Sequence, residues 1–279
     1  MRDTPSVPSI NEPWISAAQR HGRLWRACFS LALVREAQFR AHFVTTVVIG
    51  LAQILLGIVP VLILFNFTDA VQGWTQADVI VVLGMQQAMM GTIGMLITHN
   101  MWAMMESVRN GDLDQMLIRP VNAQFYAATR WIRPDQAFNV LTGVVIIVVG
   151  LVNGRGLPDA VQWVQGGIIF LCGFVLLTCM YMAVSYCSFW TQSMESAAMV
   201  FNDVLAAGRY PVAFFPVAMR LILTFAIPLA FATTFPSEAI THGISWWWVV
   251  GAAVFAVLAI MALRWFWTVA VRQYSSASS

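Results

Sequence analysis

The chain has 279 residues, of which 59% are hydrophobic and only 10% are charged, and its net charge is +2. Ordinary soluble domains carry roughly 25% charged residues, so this composition excludes a soluble globular domain, and the chain is too apolar to be disordered. A net charge of +2 gives no indication of nucleic-acid binding. All fifteen Lys and Arg residues are Arg. Without Lys the chain has neither a P-loop of the GxxxxGKS/T type nor a Schiff-base amine.

Six apolar segments are long enough to cross a membrane, because about 20 helical residues span roughly 30 Å of hydrocarbon. The composition and these lengths predict an all-α polytopic membrane protein with one six-helix membrane domain over residues 42–272. Short cytosolic tails are expected at 1–16 and 273–279. The predicted spans lie at about 43–67, 79–98, 137–152, 163–189, 212–235 and 246–267.

The arginines predict the orientation of these spans. With the N-terminus inside, thirteen of the fifteen Arg are cytosolic, Arg155 is outside and Arg220 lies within span five. Cytoplasmic loops carry the excess of basic residues in membrane proteins, so both termini are expected in the cytosol. The segment 17–41 mixes apolar residues with Arg, which predicts an amphipathic helix on the inner membrane surface. A plain extension of span one is the alternative.

The loop between spans two and three carries the most informative pattern. Met and Val at helical spacing predict that span two continues past the membrane as a helix, which Gly111 ends. Asp112 can cap a short helix over Leu113–Ile118, which Arg119 and Pro120 end. A short helix held parallel to the membrane can transmit force between a membrane domain and a soluble partner.

This loop carries a family resemblance. Residues 107–121, read as S-V-R-N-G-D-L-D-Q-M-L-I-R-P-V, resemble the signature I-x-x-G-x-L-D-x-x-L-x-x-P of ABC-2 type transporter permeases. Residues 207–212, A-G-R-Y-P-V, are similar to that family's Arg-x-Pro start of span five, and a proline follows in mid-span. The resemblance covers about residues 20–272. Val108 stands where the family often has Ile, which is a minor departure.

The resemblance implies the membrane half of an ABC exporter in a bacterial plasma membrane. Two six-span permeases, identical or related, would sit on two separate ATPase subunits. Those subunits would bind the ATP and Mg²⁺, so that this chain itself holds no catalytic residue, cofactor or metal. The cargo would be amphipathic or hydrophobic.

Two groups of residues are candidates for function. The resemblance assigns eight loop residues to ATPase coupling, and these are Arg109, Gly111, Asp112, Leu113, Asp114, Leu117, Arg119 and Pro120. Four residues are candidates for the substrate path or gate, and these are Arg209, Pro211, Arg220 and Pro228. Glu195, Asp203 and Arg209 are alternatively a second ATPase contact, a gate salt bridge or solvated charge.

Arg220 and the prolines of span five are unusual in an apolar segment. A charge at the centre of a span costs about 2.5–3.5 kcal/mol on insertion scales, so Arg220 either makes a functional polar contact or extends to the inner headgroups. Pro228 is expected to kink the helix and Pro236 to end it. Beyond Pro236 we expect a short outer turn or, alternatively, an outer helix including Phe235–Ile240.

Two other functions remain as alternatives. Asp112 and Asp114 form a DxD pattern, which a membrane glycosyl- or phosphoryl-transferase could use to hold a metal. A secondary carrier is weakened by the lack of a visible inverted repeat or of an intramembrane carboxylate.

Overall fold

The computed structural model describes residues 40–118, 122–154, 156–191 and 194–273. The predicted tail at 1–16 and nearly all of the predicted interfacial helix at 17–41 lie outside these ranges. Arg119 and Pro120 also lie outside them, and so does the C-terminal tail beyond residue 273.

The described chain is almost wholly helical. One β-hairpin is formed by β1 (Ala70–Val71) and β2 (Trp74–Thr75). Its turn places Gln72 and Gly73 at positive φ, as tight hairpins require. The α-helices are α1 (Arg40–Phe65), α2 (Gln76–Ile93), α3 (His99–Asn110), α4 (Leu113–Leu117), α5 (Ala123–Thr129), α6 (Ala137–Asn153), α7 (Ala160–Tyr186), α8 (Met194–Leu205), α9 (Val217–Leu221), α10 (Leu229–Ala232), α11 (Thr234–Thr241) and α12 (Trp246–Gln273).

Five helical segments in the described ranges are long and apolar enough to cross a membrane. They are Val44–Phe65, Gln76–Asn110, Pro134–Asn153, Ala160–Phe189 and Trp246–Gln273. The prediction of an all-α polytopic membrane protein is therefore confirmed. The second segment runs on to Asn110, as the spacing of its apolar residues predicted.

The fifth predicted span, at about 212–235, is not one continuous helix. It consists of a 3-10 turn (Val212–Phe214), α9, a π-helical turn (Ile222–Ala226), α10 and α11. Pro216 and Pro228 stand at the starts of α9 and α10, where proline's missing N–H interrupts the hydrogen-bond ladder. Pro236 does not end the segment as expected. It lies in the first turn of α11, where proline is tolerated, and α11 matches the alternative of an outer helix.

Successive passes run in opposite directions, which gives the molecule two ends. We call the end that holds the segment 110–136 and the last turns of α12 the basic end, and the other the distal end. At the basic end Gln124 Nε2 donates to the Leu263 carbonyl at 3.4 Å. At the distal end Gln165 Nε2 donates to the Ile244 carbonyl at 2.8 Å.

Glycines bring α2 and α6 into close contact. A Cβ atom on Gly84 would lie 2.6 Å from the Ile147 backbone nitrogen, and one on Gly91 would lie 2.7 Å from that of Val140. Small residues at such crossings let two helix backbones approach, which is how membrane helices gain packing energy without a hydrophobic drive. This pair forms the rigid wall of the site described next.

Candidate functional site

A polar cavity of about 530 Å³ lies between the helices, in the half of the molecule nearer the basic end. Its walls come from α1, α2, α3, α6, α7, α8 and the 3-10 turn Ala206–Arg209 that follows α8. Six side-chain amides line it, and they belong to Gln53, Gln86, Gln87, Gln136, Asn139 and Asn202. The remaining lining includes Met90, Thr98, His99, Trp102, Arg133, Tyr181, Asp203 and Arg209.

Part of the amide lining forms a hydrogen-bonded chain along one wall. Gln87 Nε2 donates to Asn139 Oδ1 at 3.1 Å, and Asn139 Nδ2 donates to Gln136 Oε1 at 2.7 Å. Gln136 Nε2 in turn donates to Asp135 Oδ2 at 3.2 Å. Satisfied networks of this kind hold polar groups in place inside a low-dielectric interior.

This chain ends in a buried ion pair. Arg133 Nη2 lies 2.7 Å from Asp135 Oδ2, and the carboxylate is fully buried. Thr46 of α1 also donates to Asp135 Oδ2, at 2.9 Å. Arg133 is therefore neutralised by Asp135, and the pair joins α1 to the start of α6.

Arg209 is placed differently from Arg133. It ends the 3-10 turn Ala206–Arg209 and is half-buried. It also lines a narrow crevice between α1 and α2, where its Cδ would lie 3.9 Å from a Cβ on Gly57. Within the described ranges Arg209 makes no hydrogen bond and no ion pair. Of the four predicted path residues, the structure brings Arg209 to the cavity.

The other three path candidates do not line this cavity. Pro211 directly precedes the 3-10 turn Val212–Phe214. Arg220 Nη2 donates to the Ala213 carbonyl at 2.8 Å, so its charged head bonds to its own chain at the start of the broken pass. Pro228 caps α10.

Up to Ile118 the predicted coupling loop has the expected succession of helix, glycine turn and short helix. Gly111 ends α3 in the left-handed conformation with φ 78°, and its N–H bonds to the Val108 carbonyl. The short helix α4 follows directly. Asp112 occupies the N-cap position, but its side chain makes no capping hydrogen bond, because its backbone is already helical instead of extended.

The residues of this loop divide into buried and exposed sets. Leu113 and Met116 are buried in the core cluster that also holds Met101 and Met104. Leu113 is therefore positioned to anchor α4 within this chain. Arg109 and Asp112 are exposed, Asp114 is half-buried, and Ile118 is 83% exposed. The side chain of Leu117 lies outside the described part of the structure.

A second cavity of about 440 Å³ lies beside this loop and shares His99 and Trp102 with the first. Arg130 of this second cavity ties three elements together. Its Nη2 donates to the Ala103 carbonyl and to Ser107 Oγ, both at 3.0 Å, and its Nη1 contacts Met116 Sδ at 3.2 Å. Sequence reasoning missed these contacts of Arg130, because in the sequence Arg130 looks like an ordinary basic loop residue.

Asn100 is a second residue that sequence reasoning missed. It is fully buried, its Nδ2 donates to the Trp131 carbonyl at 2.8 Å, and its Oδ1 accepts from the Trp131 N–H at 2.9 Å. A polar Asn within an apolar helical stretch was the available signal.

A π-helical turn, Gly94–Thr98, joins α2 to α3. Gly94 and Thr98 both line the polar cavity. The Met95 carbonyl within this turn accepts from the Arg133 N–H at 2.9 Å. Such π turns are frequent at functional sites.

The alternative of a metal-binding transferase site at Asp112 and Asp114 would need further metal ligands nearby. In the part of the chain that the structure describes, no three or more His, Cys, Asp or Glu residues are grouped to hold a metal ion.

These features define a polytopic membrane protein with a polar cavity at mid-helix and a short helix held beneath it at the basic end. The family model described as "ABC-2 family transporter protein" matches residues 49–278, and the chain belongs to this family. No curated protein and no solved structure matches the chain. Membership makes this chain the membrane subunit of an ABC transporter, a class that associates with ABC ATPase subunits. The resemblance stated from the two motifs is thereby confirmed.

Proposed function

We propose that this chain is the permease of an ATP-driven exporter. ATP hydrolysis by two separate ATPase subunits would move the short helix α4 and so change access to the polar cavity. The cargo is an amphipathic molecule that leaves toward the distal side. A second permease, identical or related, completes the complex in a bacterial plasma membrane, with both termini cytosolic.

One observation carries this proposal. A single helical rod, Gln76–Asn110, forms a wall of the cavity and ends directly at the Gly111 turn into α4. A push on α4 therefore reaches Thr98, His99 and Trp102 without crossing a flexible linker.

The contacts around α4 favour transmission of such a push. Leu113 and Met116 pack into the same core as α3, and Arg130 bonds to α3 and contacts Met116 of α4. A packed core behaves as a rigid body and passes displacement onward. The π turn at Gly94–Thr98 supplies a place where the rod can shift register beside the cavity.

The surface of the loop suits docking to a soluble partner. Ile118 exposes an apolar side chain, and the same loop carries the exposed charges of Arg109 and Asp112. Protein–protein contacts combine an apolar centre with a polar rim, and this loop offers both kinds of side chain. The concentration of Arg at this end supports its cytosolic placement, where ATP is available.

The test uses the complex of this permease with its ATPase subunits. We expect Ile118→Asp to lower ATPase co-purification and permease-stimulated ATP hydrolysis by about tenfold, because about 1.4 kcal/mol of contact energy is a factor of ten. Leu157→Asp is the matched control, since Leu157 is 73% exposed at the distal end. If Ile118→Asp combined with Asp112→Arg leaves association and transport intact, the coupling assignment is wrong.

A further inference from the structure

Arg209 lines the polar cavity and forms no ion pair within the described part of the chain. The neighbouring Arg133 is paired with Asp135, whereas Arg209 has no ion pair or hydrogen bond to any part of the chain that the structure describes. Asp203 also lines the cavity, yet it is exposed and forms no ion pair with Arg209. Water can solvate Asp203, while the half-buried Arg209 lies against α1 and α2.

Gln86 adds a second unsatisfied group at the same place. It is only 7% exposed, it lines both the cavity and the crevice beside Arg209, and in the described ranges its amide has no hydrogen-bond partner. An amide of low exposure that faces a cavity without a protein partner loses part of the hydrogen bonding that it has in water, and a cation inside a membrane domain is costly. A ligand that accepts hydrogen bonds and carries negative charge would offset both costs.

The chemistry of the two side chains defines that ligand. A guanidinium matches the two oxygens of a carboxylate or phosphate in a planar fork, and an amide N–H can donate to the same group. The cavity thus fits an oxyanion head. A simple cation would meet Arg209 and be repelled.

The position of Gln53 indicates where the rest of the ligand lies. Gln53 lines the cavity and is exposed on α1, and two residues one helical turn away from it, Ile49 and Leu56, expose apolar side chains. The cavity therefore reaches the apolar outer surface of α1. A head held at Arg209 leaves an attached apolar tail free to lie along that surface.

We propose that the cavity binds amphiphiles with an oxyanion head, with Arg209 as the counter-ion, Gln86 as a hydrogen-bond donor and the tail along α1. As a statement about cargo, this rests on the transport function proposed above, but the binding itself requires no ATP.

The experiment measures binding to the intact complex in nanodiscs of neutral lipid, without ATP. The probes are dansyl-undecanoic acid, its methyl ester and the matching primary amine, which share one tail and differ only in the head. We expect the acid to bind about tenfold more tightly than the ester, and the amine more weakly than the ester. Competition by oleate and by lysophosphatidate then shows whether carboxylate or phosphate is preferred.

Single substitutions show which residues cause the preference for the acid over the ester. Arg209→Gln should reduce acid binding to the level of the ester and leave the ester unchanged, whereas Arg209→Lys should keep most of the preference. Gln86→Leu should weaken the acid about threefold. Arg272→Gln, an exposed position on the last turn of α12, is the matched control for loss of one positive charge and should change nothing.

Three results would overturn the proposal. They are equal binding of acid and ester to the wild-type complex, an acid preference that survives Arg209→Gln, and tightest binding of the amine. Ile118→Asp separates this proposal from the proposed function. If the Ile118→Asp complex keeps the normal preference for the acid but loses ATP-driven transport, the binding site is supported. If the wild-type complex transports with ATP but shows no preference for the acid, the binding site is refuted and the transport function is not.

Discussion

Two passes of comparable apolar character behave in opposite ways in this molecule. The rod Gln76–Asn110 stays helical over 35 residues although it contains Gly84, Gly91 and Gly94. The pass from Val212 to Thr241 breaks into five short pieces. Glycine keeps its backbone N–H, so the hydrogen-bond ladder continues, whereas proline lacks the donor and interrupts it.

The breaks in the second pass leave backbone groups that need other partners. Arg220 donates to the Ala213 carbonyl, and Thr234 Oγ1 accepts from the Val212 N–H at 3.1 Å. Irregular backbone at membrane depth is tolerated where the protein itself satisfies such groups. Gly and Pro, both helix breakers in water, therefore have different consequences here. Glycine permits close packing, and proline segments the pass.

The largest expected effect tests the close packing of the rod Gln76–Asn110 against α6. Gly84→Leu should destabilise the folded protein by about 3 kcal/mol, because a Cβ at this position would meet the Ile147 backbone, which cannot move aside as a side chain can. The measurement is thermal unfolding in detergent, together with the monodisperse fraction on size exclusion.

The matched control for this variant is Gly167→Leu. Gly167 lies in α7, and a Cβ atom added there would have no neighbouring atom within 4 Å in the described structure, so the same substitution should change stability little. If the two variants unfold alike, close backbone approach is not what holds α2 to α6.

A smaller effect is expected at Asn100, which bonds the rod Gln76–Asn110 to the Trp131 backbone. Asn100→Leu removes two hydrogen bonds to the Trp131 backbone and leaves that N–H and carbonyl buried, which should cost about 2 kcal/mol. Asn153→Leu is the control, because Asn153 makes only an exposed bond to the Val149 carbonyl of its own helix. Equal midpoints of thermal unfolding for the two variants would show that the bonds from Asn100 to the Trp131 backbone do not stabilise the protein.

The smallest effect concerns the segmented pass. Arg220→Met should destabilise by about 1 kcal/mol, because the Ala213 carbonyl loses its charged donor while the apolar stem is kept. Arg264→Met, at an exposed position of α12, should leave the unfolding midpoint unchanged. A loss of transport from Arg220→Met with no loss of stability would show instead that Arg220 contacts the cargo.

Several features of the fold were predictable because they depend on local sequence. Apolar length predicted the crossing helices, and the helical spacing around Met101 and Met104 predicted that span two extends past the membrane. Gly111 predicted the turn because only glycine adopts a positive φ there without strain. The fifth span was expected to kink at Pro228 and end at Pro236, but it is divided into five short pieces, with Pro216 and Pro228 at the starts of two of them.

By itself, the sequence determined an all-α membrane protein of the ABC-2 family, a helix–turn–helix loop between spans two and three, and a concentration of Arg at one end. Tertiary structure alone decided which polar side chains share a cavity and which of them find partners. Gln86 and Arg209 are far apart in the chain, and each reads as a single polar residue near apolar neighbours. Their significance arises because helix packing brings Asp135 within ion-pair distance of Arg133, whereas Arg209 forms no ion pair in the described structure although Asp203 lines the same cavity. Local periodicity sets the elements, but the pairing of charges depends on distances across helices.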